Sequence, residues 1–262
     1  MARAVDTHAH LNHPRLLPKL EAVLARARQA EVADIIVVGY DLPSSMLAVR
    51  LAEAHAGLWA TVGVHPHDAR HVDRAAMEQL RALAEHPRVV AVGETGLDFY
   101  RDLSPREAQL DAFRRHLELA EALHLPVVCH CRDAGEALLP VLAAWPHVPR
   151  VWHCFDGTAE QARNAVALGV WLGLGGTITY PESDGPRRFL TEAPMKRVLL
   201  ETDAPYLAPC PREGKRPKDN EPALLLWTAQ RLAEMKGETP ERAAAVTAEN
   251  ARHVFALRGE ND

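Results

Sequence analysis

The sequence predicts an α/β protein built as a single (β/α)8 barrel of the TIM type, with its active site at the carboxyl ends of the strands. Short apolar, β-branched runs alternate with longer stretches of helical period. Runs such as Ile35–Val38 are continuously apolar, which is typical of parallel strands covered on both faces. Histidines and acidic residues follow these runs from the first to the last. A closed barrel gathers such residues around one mouth, whereas the alternative, an open doubly wound sheet, separates its outer strands.

Each predicted strand is a short, mostly apolar run that ends at or just before glycine, histidine or an acidic residue. The predicted strands are Ala4–His8, Ala33–Val38, Leu58–Val64, Val89–Val92, Pro126–His130, Arg150–His153, Val170–Gly175 and Arg197–Leu200.

The stretches between the strands carry apolar residues at helical spacing, as at Leu20, Val23, Leu24 and Ala27. In the fourth stretch Ser104 is the expected N-cap, with Pro105 as the first helical residue and Glu107 closing a capping box. The predicted helices are Leu16–Glu31, Pro43–His55, Arg74–Ala84, Ser104–Leu123, Gly135–Ala144, Ala159–Leu168, Pro186–Thr191, Ala223–Met235, Pro240–Val246 and Asn250–Ala256.

Composition limits the functional classes. The 262 residues, of which 47% are hydrophobic, can bury one large core, so we expect a single domain over 1–262. The net charge of −5 argues against a broad basic face for duplex DNA. Four cysteines are too few for a disulfide framework, and no apolar run approaches the roughly 20 residues of a membrane span. No early run is typical of a signal peptide, so we expect a cytoplasmic protein without membrane contact.

The first strand carries the first half of a predicted metal site. His8 and His10 alternate with Ala9, so both imidazoles project to the same side of the strand. Later strands end in further histidines and carboxylates, which together suit two divalent cations, with Glu94 as the natural bridging ligand. These residues are His65, His67, Glu94, Asp98, His130, His153 and Asp203.

Other chemically active side chains are interpreted as structural. Cys129 and Cys131 flank His130 on a strand, so they point away from it and are expected in the core. Cys154 is likewise expected to pack. Histidines that fall in predicted helices and loops, His116 among them, are expected at the surface.

The ordered motifs resemble the TatD family of metal-dependent deoxyribonucleases. The resemblance covers nearly the whole chain. Any one motif is a weak signal, but all of them in this order are specific to the family. The matching stretches are Asp6–His10, Gly63–His67, Gly93–Asp98, His130–Arg132, His153–Phe155, Glu201–Pro205, Leu207–Pro209 and Asn220–Pro222. Two features depart from the usual pattern: Cys131 replaces a small hydroxyl residue, and the segment Gly214–Asn220 is slightly longer.

The resemblance implies a binuclear centre that agrees with the residue-based prediction. His8, His10 and Asp203 would hold one cation, and His130 and His153 the other, with Glu94 bridging. It implies two Mg²⁺ or Mn²⁺ ions, although histidine-rich ligation also suits Zn²⁺.

Further residues are assigned by their position near these motifs. Asp203 is expected to accept the proton of the nucleophile, so Asp203 and Glu94 are the predicted catalytic residues. Asp6, His65 and Asp98 are expected to orient neighbouring groups, in particular the ligating imidazoles. The expected substrate-binding residues are His67, Arg132, Tyr206 and, in a basic loop with Lys218, Arg212, Lys215 and Arg216.

The resulting hypothesis is a 3′–5′ exonuclease on single-stranded or frayed DNA that releases 5′-mononucleotides, without an obligate protein partner. The polarity is implied by the resemblance alone. Two alternatives stay open. One is a metal-dependent amidohydrolase or deacylase acting on a small amide or a tRNA ester. It is disfavoured because many such barrels place a modified lysine where this chain has Glu94. The other is a non-catalytic scaffold.

Overall fold

Eight parallel strands form one sheet in which each strand pairs with the next along the chain. The computed structural model describes residues 4–181, 189, 193–211 and 215–257. The strands are β1 Ala4–Ala9, β2 Val32–Val37, β3 Leu58–Val62, β4 Val89–Asp98, β5 Val127–Arg132, β6 Arg150–Trp152, β7 Trp171–Leu174 and β8 Val198–Leu200.

The first and last strands meet, which closes the sheet into a barrel. Beyond β8 the chain continues beside β1, where the Asp203 amide donates to the His8 carbonyl (2.8 Å) and the His10 amide donates to the Ala204 carbonyl (2.7 Å). The Thr7 hydroxyl donates to the Leu200 carbonyl at 3.0 Å. The predicted (β/α)8 barrel is therefore confirmed, and the open sheet is excluded.

Helices cover the barrel at most of the crossovers. They are α1 Leu20–Gln29, α2 Leu42–Ala54, α3 Arg74–Ala84, α4 Arg106–Leu123, α5 Gly135–Ala143, α6 Ala159–Ala167, α7 Leu225–Lys236 and α8 Pro240–Val254. Except for Phe189, the predicted helix Pro186–Thr191 lies outside the described residues. Among the helices that the structure describes, none has the length and apolar character needed to cross a bilayer.

Strand β4 is longer than the predicted Val89–Val92, and the extension carries Glu94 and Asp98. The added residues pair with β5, with Gly96 opposite His130. Gly96 has a φ of +132°, and a Cβ at this position would collide with the His130 carbonyl oxygen. Glycine is therefore required here, because the two strands approach too closely for any side chain.

Two predicted helix boundaries were wrong. Pro240–Val246 and most of Asn250–Ala256 lie in one helix, α8, which runs unbroken to Val254. Inside it the Thr247 hydroxyl donates to the Ala243 carbonyl (2.8 Å), so this polar side chain does not interrupt the helix. Pro105, and not Ser104, is the N-cap of α4. The Ser104 hydroxyl donates to the carbonyl of His67 (2.7 Å), so it holds the loop after β3.

The barrel interior is filled by apolar side chains from every strand, and α8 closes the amino-terminal end. Each strand contributes to a cluster made up of Val5, Ile36, Trp59, Val90, Ala91, Val128, Val151, Trp171 and Leu199. Ala248, Ala251, Val254 and Phe255 from the last helical segment belong to the same cluster. The carboxyl ends of the strands are therefore the end at which buried polar residues collect.

Replacing Asn250 with alanine is expected to destabilise the barrel. Its side-chain amide donates to the carbonyls of Met195 and Val198, both at 2.8 Å, and so ties α8 to the start of β8. Loss of both bonds leaves buried acceptors unpaired, which costs about 2 kcal/mol in the free energy of unfolding. Urea unfolding followed by circular dichroism checks this, with the exposed neighbour Glu249→Ala as control. Equal midpoints for the two variants would contradict the assigned role.

Candidate metal centre

His8 and His10 face two carboxylates at the carboxyl end of β1. His8 is fully buried and His10 nearly so. Their Nε2 atoms lie 3.8 and 3.3 Å from Asp203 Oδ1, and 3.5 and 3.8 Å from Glu94 Oε2. The His8 ring also stacks on the ring of His153, with centroids 3.5 Å apart. The predicted projection of both imidazoles to one side of the strand is confirmed.

Glu94 lies between two groups of histidines. One oxygen, Oε2, faces the β1 pair, and the other, Oε1, faces histidines from later strands. Oε1 is 2.9 Å from His130 Nδ1, 3.7 Å from His65 Nε2 and 3.9 Å from His153 Nε2. The structure thus brings together all six predicted ligands, namely His8, His10, Glu94, His130, His153 and Asp203.

The donor set at this centre fits divalent cations. Both ring nitrogens of His8 and Nδ1 of His10 are buried and find no hydrogen-bond partner among the described residues. Buried polar atoms without a partner are costly, and coordination of a cation would satisfy them. Potential ligand atoms lie within 4.8 Å of one another in His8–His10–Glu94, in His65–Glu94–His130 and in His8–His153–Glu201. The second group contains His65, which was expected only to orient its neighbours.

The ionisation states follow from burial and mutual contact. Burial opposes ionisation of Glu94, but the imidazoles of His65, His130 and His8 outweigh it and hold the pKa of this carboxyl well below its usual range. The pKa of Asp203 is also lowered, since His10 and His153 outweigh its burial. Burial lowers the pKa of His65 to about 3. The carboxylates of Glu94 and Asp203 are therefore ionised, and their negative charge would attract a cation.

Glu201 is a buried carboxylate that sequence reasoning missed. Burial disfavours the charged form of His153, but Glu201, with Glu94 and Asp203, raises the pKa of this imidazole to about 10. Glu201 Oε1 is 2.9 Å from His153 Nδ1 and accepts the Cys154 amide at 2.5 Å. Gly173 makes room for it, because a Cβ there would collide with the carboxylate. Its position two residues before Asp203 was the available signal.

Asp98 links several groups on the other side of the centre. Its Oδ2 lies 2.8 Å from His67 Nε2 and 3.3 Å from His130 Nε2, and Oδ1 accepts the amides of Tyr100 and Arg101. Asp98 is thus placed to orient the His130 ring, as predicted. His67, expected to face phosphate, is half-buried and paired with this carboxylate.

Helix α4 supports these groups from behind. Gln109 accepts the Asp98 amide (2.8 Å) and donates to the Asp98 carbonyl (3.2 Å). His116, two turns further along, accepts the Val64 amide at 3.1 Å, just before His65. The expectation that His116 lies at the surface is wrong, because it is fully buried on the face of α4 that meets the barrel.

Asp6 contacts two backbone amides and a threonine hydroxyl instead of an imidazole. It accepts the Thr202 amide (2.9 Å), the Thr202 hydroxyl (2.6 Å) and the His8 amide (3.3 Å). Burial raises the pKa of Asp6 to about 7. Asp6 therefore positions His8 through the main chain and joins β1 to the segment that carries Asp203.

The structure describes five of the six predicted substrate-binding residues. The Arg132 guanidinium lies over the Tyr100 ring, 3.9 Å from its centroid. Tyr206 is 43% exposed, with its ring centroid 5.8 Å from that of His10. Arg216 lies over the ring of Tyr180, and Lys215 is exposed. Arg212 falls outside the described residues.

The loop after β8 is anchored by a buried amide. Asn220 donates to the carbonyls of Thr202 and Tyr206, both at 2.6 Å.

Cys129 and Cys131 lie in the core, as predicted, and burial raises the pKa of both thiols.

Comparison with known proteins gives a consistent match. The sequence profile described as "TatD related DNase" matches residues 5–256. An "uncharacterized metal-dependent hydrolase YabD" from Bacillus subtilis is 38% identical over 254 residues, covering 96% of this chain and 98% of the relative. A "3'-5' ssDNA/RNA exonuclease TatD" from a Rahnella species is 42% identical over 242 residues, covering 90% and 91%.

A solved structure supports the same grouping. The crystal structure of YjjV, a TatD homologue from Escherichia coli K12, superposes with a TM-score of 0.91 at 33% sequence identity. The superposition covers 98% of this chain and 99% of the homologue. The fold is therefore shared over nearly the whole length of both chains.

Metal binding is expected to tighten as the pH rises. With a pKa near 10, His153 carries a proton at pH 7 in the metal-free protein, and coordination at Nε2 requires the neutral ring. Each cation bound there must displace that proton, so affinity should rise about tenfold per pH unit. Calorimetry in two buffers of different ionisation enthalpy measures the proton release. Tight binding without release of a proton would exclude His153 as a ligand.

Glu201→Gln is expected to weaken metal binding while the barrel stays folded. The amide keeps the shape but loses the charge beside His153 Nδ1, and such orienting contacts are typically worth about 10- to 100-fold in metal affinity. Competition with a chelating dye measures this effect, and the exposed Glu160→Gln is the control. Unchanged affinity in Glu201→Gln would show that this carboxylate only fills space.

Proposed function

We propose that this chain, which belongs to the TatD related DNase family of metal-dependent hydrolases, is a 3′–5′ exonuclease. Its substrate would be single-stranded or frayed DNA, and its products 5′-mononucleotides. One observation supports this most directly: a buried carboxylate, Glu94, presents one oxygen to each of two histidine groups. Two of the relatives bear the name of a single-strand exonuclease or of a metal-dependent hydrolase, which supports the reaction class.

The proposed cofactors are two divalent cations, Mg²⁺ or Mn²⁺, with Zn²⁺ as the alternative. His8, His10 and Asp203 would hold one, His130 and His153 the other, and Glu94 both. Such cations, when bound, supply positive charge for a phosphodiester and acidify a water molecule. The contacts of Glu94 Oε1 with His130 (2.9 Å) and His153 (3.9 Å) support the second group.

Asp203 is proposed as the proton acceptor. Its carboxylate is ionised, and the loop that carries it is held to β1 by the Asp203 amide. During the reaction the water oxygen forms a bond to phosphorus while the bond from phosphorus to the 3′ oxygen of the preceding nucleotide breaks. The 3′ oxygen leaves with the bonding electron pair and takes a proton from solvent to become a hydroxyl. Asp203 takes the proton released by the water. His67 and Arg132 are proposed to position the phosphate, and Tyr206 to stack on a base.

The whole chain, 1–262, would act as one catalytic unit without an obligate protein partner. The family match over residues 5–256 supports this unity. The basic loop, with Arg212, Lys215 and Arg216, would contact the strand backbone. The cysteines are free thiols, which suits the reducing cytoplasm.

The test is digestion of a single-stranded oligonucleotide labelled at its 5′ end, in Mg²⁺, in Mn²⁺ and in EDTA. The wild type should produce a ladder that shortens from the 3′ end, only with metal. Glu94→Ala should lower the rate by about a thousandfold or more, because it removes the charge shared by both histidine groups.

The control is Glu118→Ala, an exposed change on α4 that should act like wild type. Near wild-type turnover by Glu94→Ala would remove Glu94 from the mechanism. An oligonucleotide left intact under all conditions would overturn the nuclease proposal, and amide and ester substrates would then be tested.

A further inference from the structure

We infer that Tyr100 and Arg132 form a stacking platform for a nucleobase of the substrate, across the mouth of the barrel from Tyr206. The inference rests on the proposed nuclease function and deepens it. It assigns a role to Tyr100, for which no motif predicted one, and a second role to Arg132.

The platform lies at the rim where the proposed reaction would occur. Asp98 ends β4 and pairs in register with Arg132, which ends β5, and Tyr100 follows two residues after Asp98. The Arg132 guanidinium covers the Tyr100 ring at 3.9 Å. Even so, 58% of Tyr100 stays exposed, more than any other large hydrophobic or aromatic side chain in the described part of the chain.

The backbone that carries the ring is held by a carboxylate beside the metal centre. Asp98 Oδ1 accepts the amides of Tyr100 (3.0 Å) and Arg101 (2.7 Å), while Oδ2 lies 3.3 Å from His130 Nε2. One carboxylate therefore connects the backbone of Tyr100 to a proposed metal ligand, His130. A base stacked on Tyr100 would have a defined position relative to the scissile phosphate.

The chemistry of the pair suits a nucleotide. An aromatic ring covered on one face by a guanidinium offers its open face to a base, and stacking accepts any base. The guanidinium keeps planar N–H donors for a neighbouring phosphate oxygen. An isolated surface tyrosine would offer the ring without the charge.

The position opposite Tyr206 indicates a single strand. Tyr206 follows β8, and Tyr100 follows β4, so half of the eight-stranded barrel separates them. Glu94 and the histidines lie between, near the His10 ring that Tyr206 contacts. Bases on either side of the scissile phosphate would each have their own aromatic partner. Two neighbouring bases spread apart in this way cannot stay stacked on each other or paired in a duplex.

The test compares intact oligonucleotides with ones that lack a single base. Tyr100→Leu is expected to lower kcat/KM about tenfold, mainly through KM, which is the size of one lost base stack. Removing the base on one of the two nucleotides that flank the terminal bond should cost the wild type a similar factor. On that substrate Tyr100→Leu should have the same kcat/KM as the wild type. Removing a base five nucleotides from the end should not change the kcat/KM of either enzyme.

Two variants separate stacking from general surface effects. Tyr100→Phe keeps the ring and should restore most of the loss. Leu103→Ala removes an exposed apolar side chain from the same loop and should act like wild type. The platform is overturned if Tyr100→Leu equals wild type on intact DNA, or if it loses the same factor on every abasic substrate.

A binding measurement distinguishes failure of the platform from failure of the nuclease proposal. An oligonucleotide with 2-aminopurine near its 3′ end is titrated with Glu94→Ala protein, with and without Tyr100→Leu, and its fluorescence is followed. Quenching that requires Tyr100 supports the platform even if the wild type cleaves no DNA. Equal quenching with and without Tyr100 overturns it.

Discussion

A carboxylate buried at the centre of the barrel mouth sets the main constraint on this structure. Glu94 is 3% exposed, and an ionised group at such a position is stable only when donors or positive charge surround it. Histidines from β1, β5 and the ends of β3 and β6 supply that environment. The same arrangement leaves both ring nitrogens of His8 without a hydrogen-bond partner among the described residues, a deficit that a cation would relieve. Stability and metal affinity are therefore linked at this carboxylate.

Behind the imidazoles lies a layer of buried polar groups that holds them in position. Glu201 contacts His153, Asp98 contacts His130, and Asp6 holds the backbone of His8. Helix α4 adds Gln109 and His116, which hold the strand ends rather than the rings. Because each of these partners is itself hydrogen-bonded or packed, the rings have little freedom to reorient. This rigidity suits a site whose chemistry depends on charges held in place before the substrate binds.

Outside the centre, the mouth combines aromatic rings with a few cations. The chain carries a net charge of −5, so attraction to nucleic acid has to be local. Arg132 over Tyr100 and Arg216 over Tyr180 place guanidinium groups against aromatic faces, and Asn220 fixes the loop near Tyr206. Under the proposed function, a few local contacts of this kind would suit a short single strand better than the long footprint of a duplex.

The sequence by itself determined the barrel and the gathering of histidines and carboxylates at one mouth, because hydrophobic alternation along each strand is a local pattern. The family and the choice of His8, His10, Glu94, His130, His153 and Asp203 as ligands came from the resemblance of the ordered motifs. Only the tertiary structure decided which residues support them. Glu201, Gln109 and His116 act through contacts between elements far apart in sequence, and a buried polar residue on a helix has the same local pattern as an exposed one. The extension of β4 was likewise set by its partner, since Gly96 fits against His130 only when both strands are in place. The local pattern thus specified which side chains face the mouth, and long-range packing specified which residues hold those side chains in position.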